Sequence, residues 1–172
     1  AVGYDLYCKM LSEAVKEAKG IQTMYDFETT IDLVMDAFIP DTYISNEFQK
    51  LDIYKRIAGI ESQQDYDEML EELIDRFGEP PKAVLNLLAI ARLKALAHQA
   101  YITEIKQTSR ECRITLYENA KINPAGIPPL MEKYRRSLQF KNDQTPKFLF
   151  APVGPVVPAL TRFAEELLEL VE

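Results

Sequence analysis

The stretch SQQDYDEMLEELIDRFGEPP, residues 62–81, carries the strongest fold signal in the chain. Six carboxylates fall between Asp65 and Asp75, and a glycine and two prolines follow them closely. At about 100° per residue, apolar and acidic side chains separate onto opposite sides of a helix over residues 63–77. The apolar side comprises Tyr66, Met69, Leu70, Leu73, Ile74 and Phe77. The acidic side comprises Glu68, Glu71, Glu72 and Asp75.

The residues that flank this helix predict where it begins and ends. Ser62 is a preferred N-cap residue, and Gly78 suits the left-handed position that follows many helices. Pro80 and Pro81 cannot continue a helix, but they fit the first turn of the next one. We therefore expect a corner between two helices. The second helix, at about residues 82–100, is apolar nearly all round and is predicted to be central in the core.

Three further elements are predicted before residue 62. Apolar residues recur at helical spacing over residues 4–18, and they alternate like those of a strand over residues 31–38. A helix is predicted at about residues 46–58, with Ser45 as a possible N-cap. The apolar side chains expected on one side of that helix are Phe48, Leu51, Tyr54 and Ala58.

The second half of the chain changes to the two-residue period of strands. Residues 101–108 and 110–118 read as a hairpin that turns near Ser109. A short helix at about residues 130–137 precedes a second strand pair, LQFKN and KFLFAP, joined by Asn142 and Asp143. A helix over residues 156–171 closes the chain. The fold class expected is α+β, with helices packed on a small, mostly antiparallel sheet.

Length and composition narrow the function classes. At 172 residues with a net charge of -7, the chain suits one domain, and no apolar run approaches the length of a membrane span. Cys8 and Cys112 have neither zinc-ribbon nor disulfide-framework spacing. A cytoplasmic protein without a membrane role is expected. The N-terminus lacks Met and any signal-peptide pattern, which indicates a piece of a longer protein.

The sequence offers few groups for catalysis. Paired carboxylates act as acid and base when burial separates their pKa values, whereas the acids of residues 63–77 are expected to face water. No calcium-loop spacing and no phosphate-binding glycine loop is present. His98 lacks a neighbouring Cys or Ser pattern and is expected to be structural. No catalytic, metal or cofactor site is predicted in this chain.

Basic residues offer a competing interpretation, an accessory nucleic-acid-binding domain. Tyrosines Tyr101, Tyr117 and Tyr134 are interleaved with two basic runs. The basic residues are Lys82, Arg92, Lys94, Lys106, Arg110, Arg113, Lys133, Arg135 and Arg136. Alternating charges on solvated faces explain the same pattern and are favoured over a binding surface.

Four segments resemble the C-terminal (TRCF) domain of the bacterial transcription-repair coupling factor (Mfd) family. They are GYDLYCKMLSEAVKE at 3–17, IDLVMDAFIPDTYI at 31–44, LDIYKRIAGIES at 51–62 and ELIDRFGEPPKAVLNLLAIARLKALA at 72–97. The resemblance runs in register over residues 1–108 and is diffuse beyond them. It implies that residues 1–28 follow a translocase motor and that residues 29–172 form the C-terminal regulatory domain.

The resemblance also implies a function. Members of the family are DNA translocases driven by ATP and Mg in a motor upstream of this region, and they act on DNA, RNA polymerase and UvrA in nucleotide excision repair. The domain itself is not an enzyme, and it masks the UvrA-binding module of the same polypeptide. In the family, the ELIDRFG turn contacts arginines of that module. This places Glu72 and Asp75 at the interface, with Glu68 and Glu71 beside them.

Overall fold

The computed structural model describes residues 27–172, and the chain divides into two compact units. We call residues 35–92 the helical unit, and residues 27–34 with 93–172 the sheet unit. The helix predicted at residues 4–18 lies outside the described residues. The domain boundary expected between residues 28 and 29 therefore stays a prediction.

The helical unit is built from three helices. They are α1 (Glu47–Ala58), α2 (Gln63–Phe77) and α3 (Lys82–Gln99), and the last part of α3, from Leu93, belongs to the sheet unit. All three lie close to their predicted positions, which confirms those predictions. The N-cap of α1 is Asn46 rather than Ser45, because its side chain accepts a hydrogen bond of 3.0 Å from the Gln49 N–H.

The predicted buried side of α1 is wrong. Only Tyr54 of the four predicted residues is buried, whereas Phe48 is 86% exposed, and Leu51 and Ala58 are exposed as well. The core side instead carries Ile53 and Ile57 next to Tyr54. Two sets of apolar residues share helical spacing on α1, so spacing alone could not select between them. The Tyr54 hydroxyl accepts a hydrogen bond of 2.8 Å from the Ile39 N–H. This bond helps to hold the side of α1 that carries Tyr54 towards the interior.

The strand predicted at residues 31–38 is much shorter. Strand β1 covers only Thr30–Asp32 and pairs in parallel with residues 104–106, although alternate burial continues to Ile39. Beyond β1 the backbone finds other partners. The Val34 N–H donates to the side chain of Gln107 (2.9 Å), and the Phe38 N–H donates to the carbonyl of Ala83 (3.2 Å).

The sheet unit contains a five-stranded sheet, of which β1 is the first strand. Its strands after β1 are β2 (Ile102–Gln107), β3 (Cys112–Leu116), β4 (Leu138–Asn142) and β5 (Pro146–Phe150). The strand order is β1-β2-β3-β5-β4, and every pair except β1 with β2 is antiparallel. Both predicted hairpins and the α+β class with a mostly antiparallel sheet are confirmed.

Two helices complete the sheet unit with boundaries that differ from the predicted ones. Helix α4 (Ile127–Tyr134) begins earlier than expected, because prolines are compatible with its first turn. Helix α5 (Val156–Leu168) ends earlier, because Val171 instead pairs with Ile122 in an isolated bridge.

The core of the sheet unit contains a cluster of aromatic rings. The ring of Phe163 on α5 lies edge-on to Phe148 of β5, with 5.2 Å between ring centroids, and stacks on Phe150 at 5.5 Å. Register places Ile114 of β3 directly opposite Phe148. Phe163 therefore contributes, with the other buried side chains of α5, to packing this helix on the sheet.

Phe163→Ala should destabilise the protein by about 3–5 kcal/mol, because it leaves a cavity where a side chain with 0% exposure was packed. Denaturant unfolding followed by circular dichroism measures the change. Phe140→Ala, at a partly exposed position of β4, is the control and should cost less. A loss below about 1 kcal/mol for Phe163→Ala would contradict this account of the core.

Candidate protein interface

Helix α2 is held at both ends by contacts that the sequence predicted. The Ser62 hydroxyl accepts a hydrogen bond of 3.1 Å from the Asp65 N–H, and the Asp65 carboxylate accepts one of 3.0 Å from the Glu61 N–H. At the other end, Gly78 has a φ of 87°, a conformation that glycine adopts without a steric penalty. The caps therefore begin and end α2 where the sequence predicted.

The apolar side of α2 faces the interior of the helical unit. Met69 and Leu73 are buried, and Tyr66, Leu70 and Phe77 are half-buried. The sixth predicted core residue, Ile74, is exposed because it lies at the edge of this side. The predicted separation of apolar from acidic residues is otherwise confirmed.

Three of the four predicted interface carboxylates are exposed. We call Glu68, Glu71 and Asp75 the acidic face of α2. Glu68 accepts a hydrogen bond of 2.9 Å from the Gln64 side-chain amide. Within residues 27–172, none of the three forms an ion pair with a lysine or arginine. Their charge is therefore available to a partner.

Glu72 differs from the other three. It is half-buried, and both of its carboxylate oxygens bind the guanidinium group of Arg56 on α1. Arg76 adds a second ion pair one turn along α2, with 2.9 Å between its Nη1 and the Glu72 Oε2. Glu72 was expected to be exposed on the same face as Asp75, and the structure shows it half-buried and paired. Glu72 instead joins α1 to α2.

The two arginines change the titration of Glu72. The hydrogen bonds from Arg56, and then those from Arg76, lower the pKa of its carboxyl from the ordinary 4.5 to about 2, against the opposing effect of burial. Sequence reasoning overlooked both arginines. Arg76 could have been found from its four-residue spacing to Glu72. Arg56 could not, because its approach depends on how α1 packs on α2.

The arrangement suits recognition of a cationic protein surface. Exposed carboxylates on a rigid helix bind lysine or arginine side chains, and they do so in bidentate fashion with arginine. Within residues 27–172, no three His, Cys, Asp or Glu side chains lie close enough together to hold a metal ion. None of the helices in that range is both long and apolar enough to cross a membrane.

The tyrosines of the nucleic-acid interpretation are packed rather than presented. Tyr101 is buried, and Tyr117 stacks on Phe27 with 4.8 Å between ring centroids. The Tyr134 hydroxyl donates a hydrogen bond of 2.8 Å to Glu166, and burial together with that carboxylate raises its pKa. Stacking of bases on these three rings is therefore not supported.

Two of the basic residues are paired with carboxylates within the sheet unit. Arg113 pairs with Glu104 at 3.0 Å, and Lys133 pairs with Glu166 at 3.0 Å. Alternating charge on solvated faces accounts for these pairs. Arg135 and Arg136 are exposed.

His98 and Cys112 occupy structural positions. The His98 ring lies 4.7 Å from the Phe27 ring, and its Nε2 is 3.1 Å from the Phe27 carbonyl oxygen. Cys112 is a buried free thiol, and burial raises its pKa to about 11. Such a thiol is a poor nucleophile at neutral pH. Cys8 lies outside the described residues.

Comparison with known proteins gives matches of three kinds. The family model of the TRCF domain matches residues 33–127. A transcription-repair-coupling factor of Bacillus subtilis (strain 168) is 43% identical over 141 residues, which is 80% of this chain and 12% of that protein. One from Staphylococcus aureus (strain USA300) is 39% identical over 127 residues, 73% of this chain and 11% of that protein. The chain thus spans about an eighth of the length of these relatives.

A solved structure matches most of the fold. The crystal structure of the C-terminal domain of a transcription-repair coupling factor aligns with a TM-score of 0.76 and 26% identity. The alignment covers 86% of this chain and 97% of that one. The similarity therefore extends well beyond the residues that the family model matches.

Glu72 should contribute to stability only where its carboxyl is ionised in the folded state. A lowered pKa means that this contribution is complete above pH 4.5 and is lost as the pH falls towards 2. The difference in unfolding free energy between the wild type and Glu72→Gln should be about 1 kcal/mol or less at pH 7 and should vanish near pH 2. Denaturant titrations across that range measure it. A difference that stays constant with pH would contradict the assignment.

Proposed function

The chain belongs to the TRCF-domain family of transcription-repair coupling factors, and from that premise we propose that it is an autoinhibitory interaction domain. In this proposal it covers the UvrA-binding module of its own polypeptide until the factor engages stalled RNA polymerase. The observation that carries the proposal is the acidic face of α2, which is exposed and unpaired within the described residues. The family resemblance assigns the facing surface to arginines.

The distribution of charge supports a cationic partner for the helical unit. Residues 35–92 contain twelve carboxylates against six lysines and arginines. The sheet unit contains eleven of each. The negative excess therefore lies in the unit that presents the acidic face, and complementary charge promotes both encounter and orientation.

We assign different roles to Asp75 and Glu72. Asp75, Glu71 and Glu68 are free to pair with incoming guanidinium groups. Glu72 already binds two arginines, although a carboxylate has about four acceptor sites and can accept a further donor. Its main role in the proposal is to hold α1 against α2, so that the acidic face keeps its geometry.

The strength of such contacts suits a reversible mask. An exposed ion pair contributes about 0–1 kcal/mol, so three pairs contribute at most about 3 kcal/mol, or roughly a hundredfold in an equilibrium. A partner that binds only the open form can overcome a bias of this size through its own affinity. The proposed mask is thus weak enough to open when polymerase or UvrA binds.

Charge reversal on the acidic face should open the mask. In a full-length factor that carries this chain, Glu71→Lys with Asp75→Lys should raise the apparent affinity for UvrA about 5- to 30-fold. Two pairs are lost and repulsion replaces them. Titration of labelled UvrA at several salt concentrations measures the affinity, and the difference from the wild type should shrink as salt screens the charges.

Reversal at Glu72 is a poorer test, because it would place a third cation beside Arg56 and Arg76. The matched control is Glu118→Lys with Glu132→Lys, which changes the net charge equally at exposed positions of the sheet unit. If the control raises the affinity for UvrA as much as the test variant does, the effect is one of total charge and the proposed surface is wrong. Unchanged affinity in the test variant would also reject it.

A further inference from the structure

We propose that Phe48 and Leu51 on α1 are the apolar anchor of the same docking surface, and that a pocket ringed by lysine or arginine on the masked module covers them. The inference rests on the proposed function and adds a second kind of contact to it. It concerns two of the residues that the sequence analysis placed on one apolar side of α1.

Helix α1 has two apolar sides, and within the described residues only one of them is buried. Ile53 and Ile57 are buried in the helical unit. On the other side, Phe48 is 86% exposed and Leu51 is 38% exposed, and they lie one turn apart. No aromatic ring within residues 27–172 packs against Phe48. The exposed phenyl ring and the neighbouring leucine offer an apolar contact to a partner protein.

Helix geometry connects this anchor to the acidic face. Phe48, Asp52 and Arg56 follow one another at four-residue spacing, so they form one ridge on α1. Arg56 binds Glu72 on α2, which brings the end of that ridge to the edge of the acidic face. Phe48 lies about 12 Å from Arg56 along the axis of α1. A standard interface is roughly 30 Å across and can include both the anchor and the acidic face.

The surroundings of the anchor define the chemistry of its partner. Glu47 and Asp52 flank Phe48 on α1, and both are exposed. A partner pocket for the phenyl ring would therefore be apolar at its centre and cationic at its rim. This is the arrangement in which a central aromatic residue carries much of the binding energy. The exposed carboxylates beside Phe48 carry the same sign of charge as the acidic face, although Glu47 also lies 3.7 Å from Lys50 and Lys55 is exposed one turn from Leu51. In the proposal, one cationic surface covers Phe48 and the acidic face.

The anchor and the acidic face should respond differently to salt. Ion pairs at a rim are screened as salt rises, whereas burial of a phenyl ring is not weakened in the same way. The full-length factor is again the protein to test. Phe48→Ala should raise its affinity for UvrA about 3- to 30-fold, and this gain should persist at roughly 0.5 M salt, where the gain from Glu71→Lys with Asp75→Lys has faded.

Two control variants accompany the measurement. Val153→Ala removes another apolar side chain, 92% exposed and in the sheet unit, and should leave the affinity for UvrA unchanged. Phe48→Leu keeps an apolar side chain and should retain most of the masking. The unfolding temperature of the isolated chain should be the same with Phe48→Ala as in the wild type, because the ring is exposed to water when the masked module is absent.

Each outcome separates the anchor from the proposed function. If Phe48→Ala leaves the affinity unchanged while charge reversal on the acidic face raises it, the anchor is wrong and the mask stands. If neither variant raises the affinity, both fail. A rise that comes with a lower unfolding temperature, or that Val153→Ala reproduces, would also overturn the anchor.

Discussion

Burial of one side of α2 is the constraint on which the helical unit and its proposed role depend. Leu73 has 0% exposure and Met69 is buried close to it, so the helix cannot rotate without bringing carboxylates into the core. Moving an unpaired carboxylate into an apolar interior costs several kcal/mol. The caps at Ser62 and Gly78 add to this restraint. Glu68, Glu71 and Asp75 are therefore kept in water by the packing of residues on the opposite side of the helix.

The parts of the fold that the sequence predicted are those encoded by local signals. Helix α2 follows from its two-sided pattern and its caps, and α3 and both hairpins follow from period and turn residues. The predictions that failed depend on tertiary packing. Helix α1 has two apolar sides with similar spacing, and only the packed chain shows that Ile53 and Ile57 are chosen. The alternation of apolar and polar residues continues past Asp32, but the pairing of β1 with β2 ends at that residue.

The candidate site was predictable to the same extent. The exposure of three carboxylates on α2 follows from helical geometry, whereas their assignment to an interface came from the family resemblance. The pairing of Glu72 with Arg56 does not follow from helical geometry, because it joins residues 16 positions apart that meet only after α1 packs on α2. That pairing distinguishes a carboxylate that joins two helices from carboxylates that are exposed, and the sequence alone could not make this distinction. Glu72 is paired with two arginines, whereas Glu68, Glu71 and Asp75 are exposed and form no ion pair within residues 27–172, as the proposed recognition surface requires.

The proposed mask combines two kinds of contact, ion pairs on the acidic face and burial of an apolar anchor. Carboxylate pairs orient the partner and are easily screened, whereas an apolar anchor would add affinity without long-range attraction. In the proposal, such a surface binds the UvrA-binding module selectively and releases it when a competing partner binds.

Carboxyl footprinting tests the central claim most directly, because it reports which acids are covered. A carbodiimide with an amine label would be applied to the isolated chain and to the full-length factor, and each site would be quantified by mass spectrometry. The account predicts that Glu68, Glu71 and Asp75 label readily in the isolated chain and are protected in the full-length factor, while Glu118 and Glu132 label equally in both. Equal labelling of the acidic face in the two proteins would contradict it.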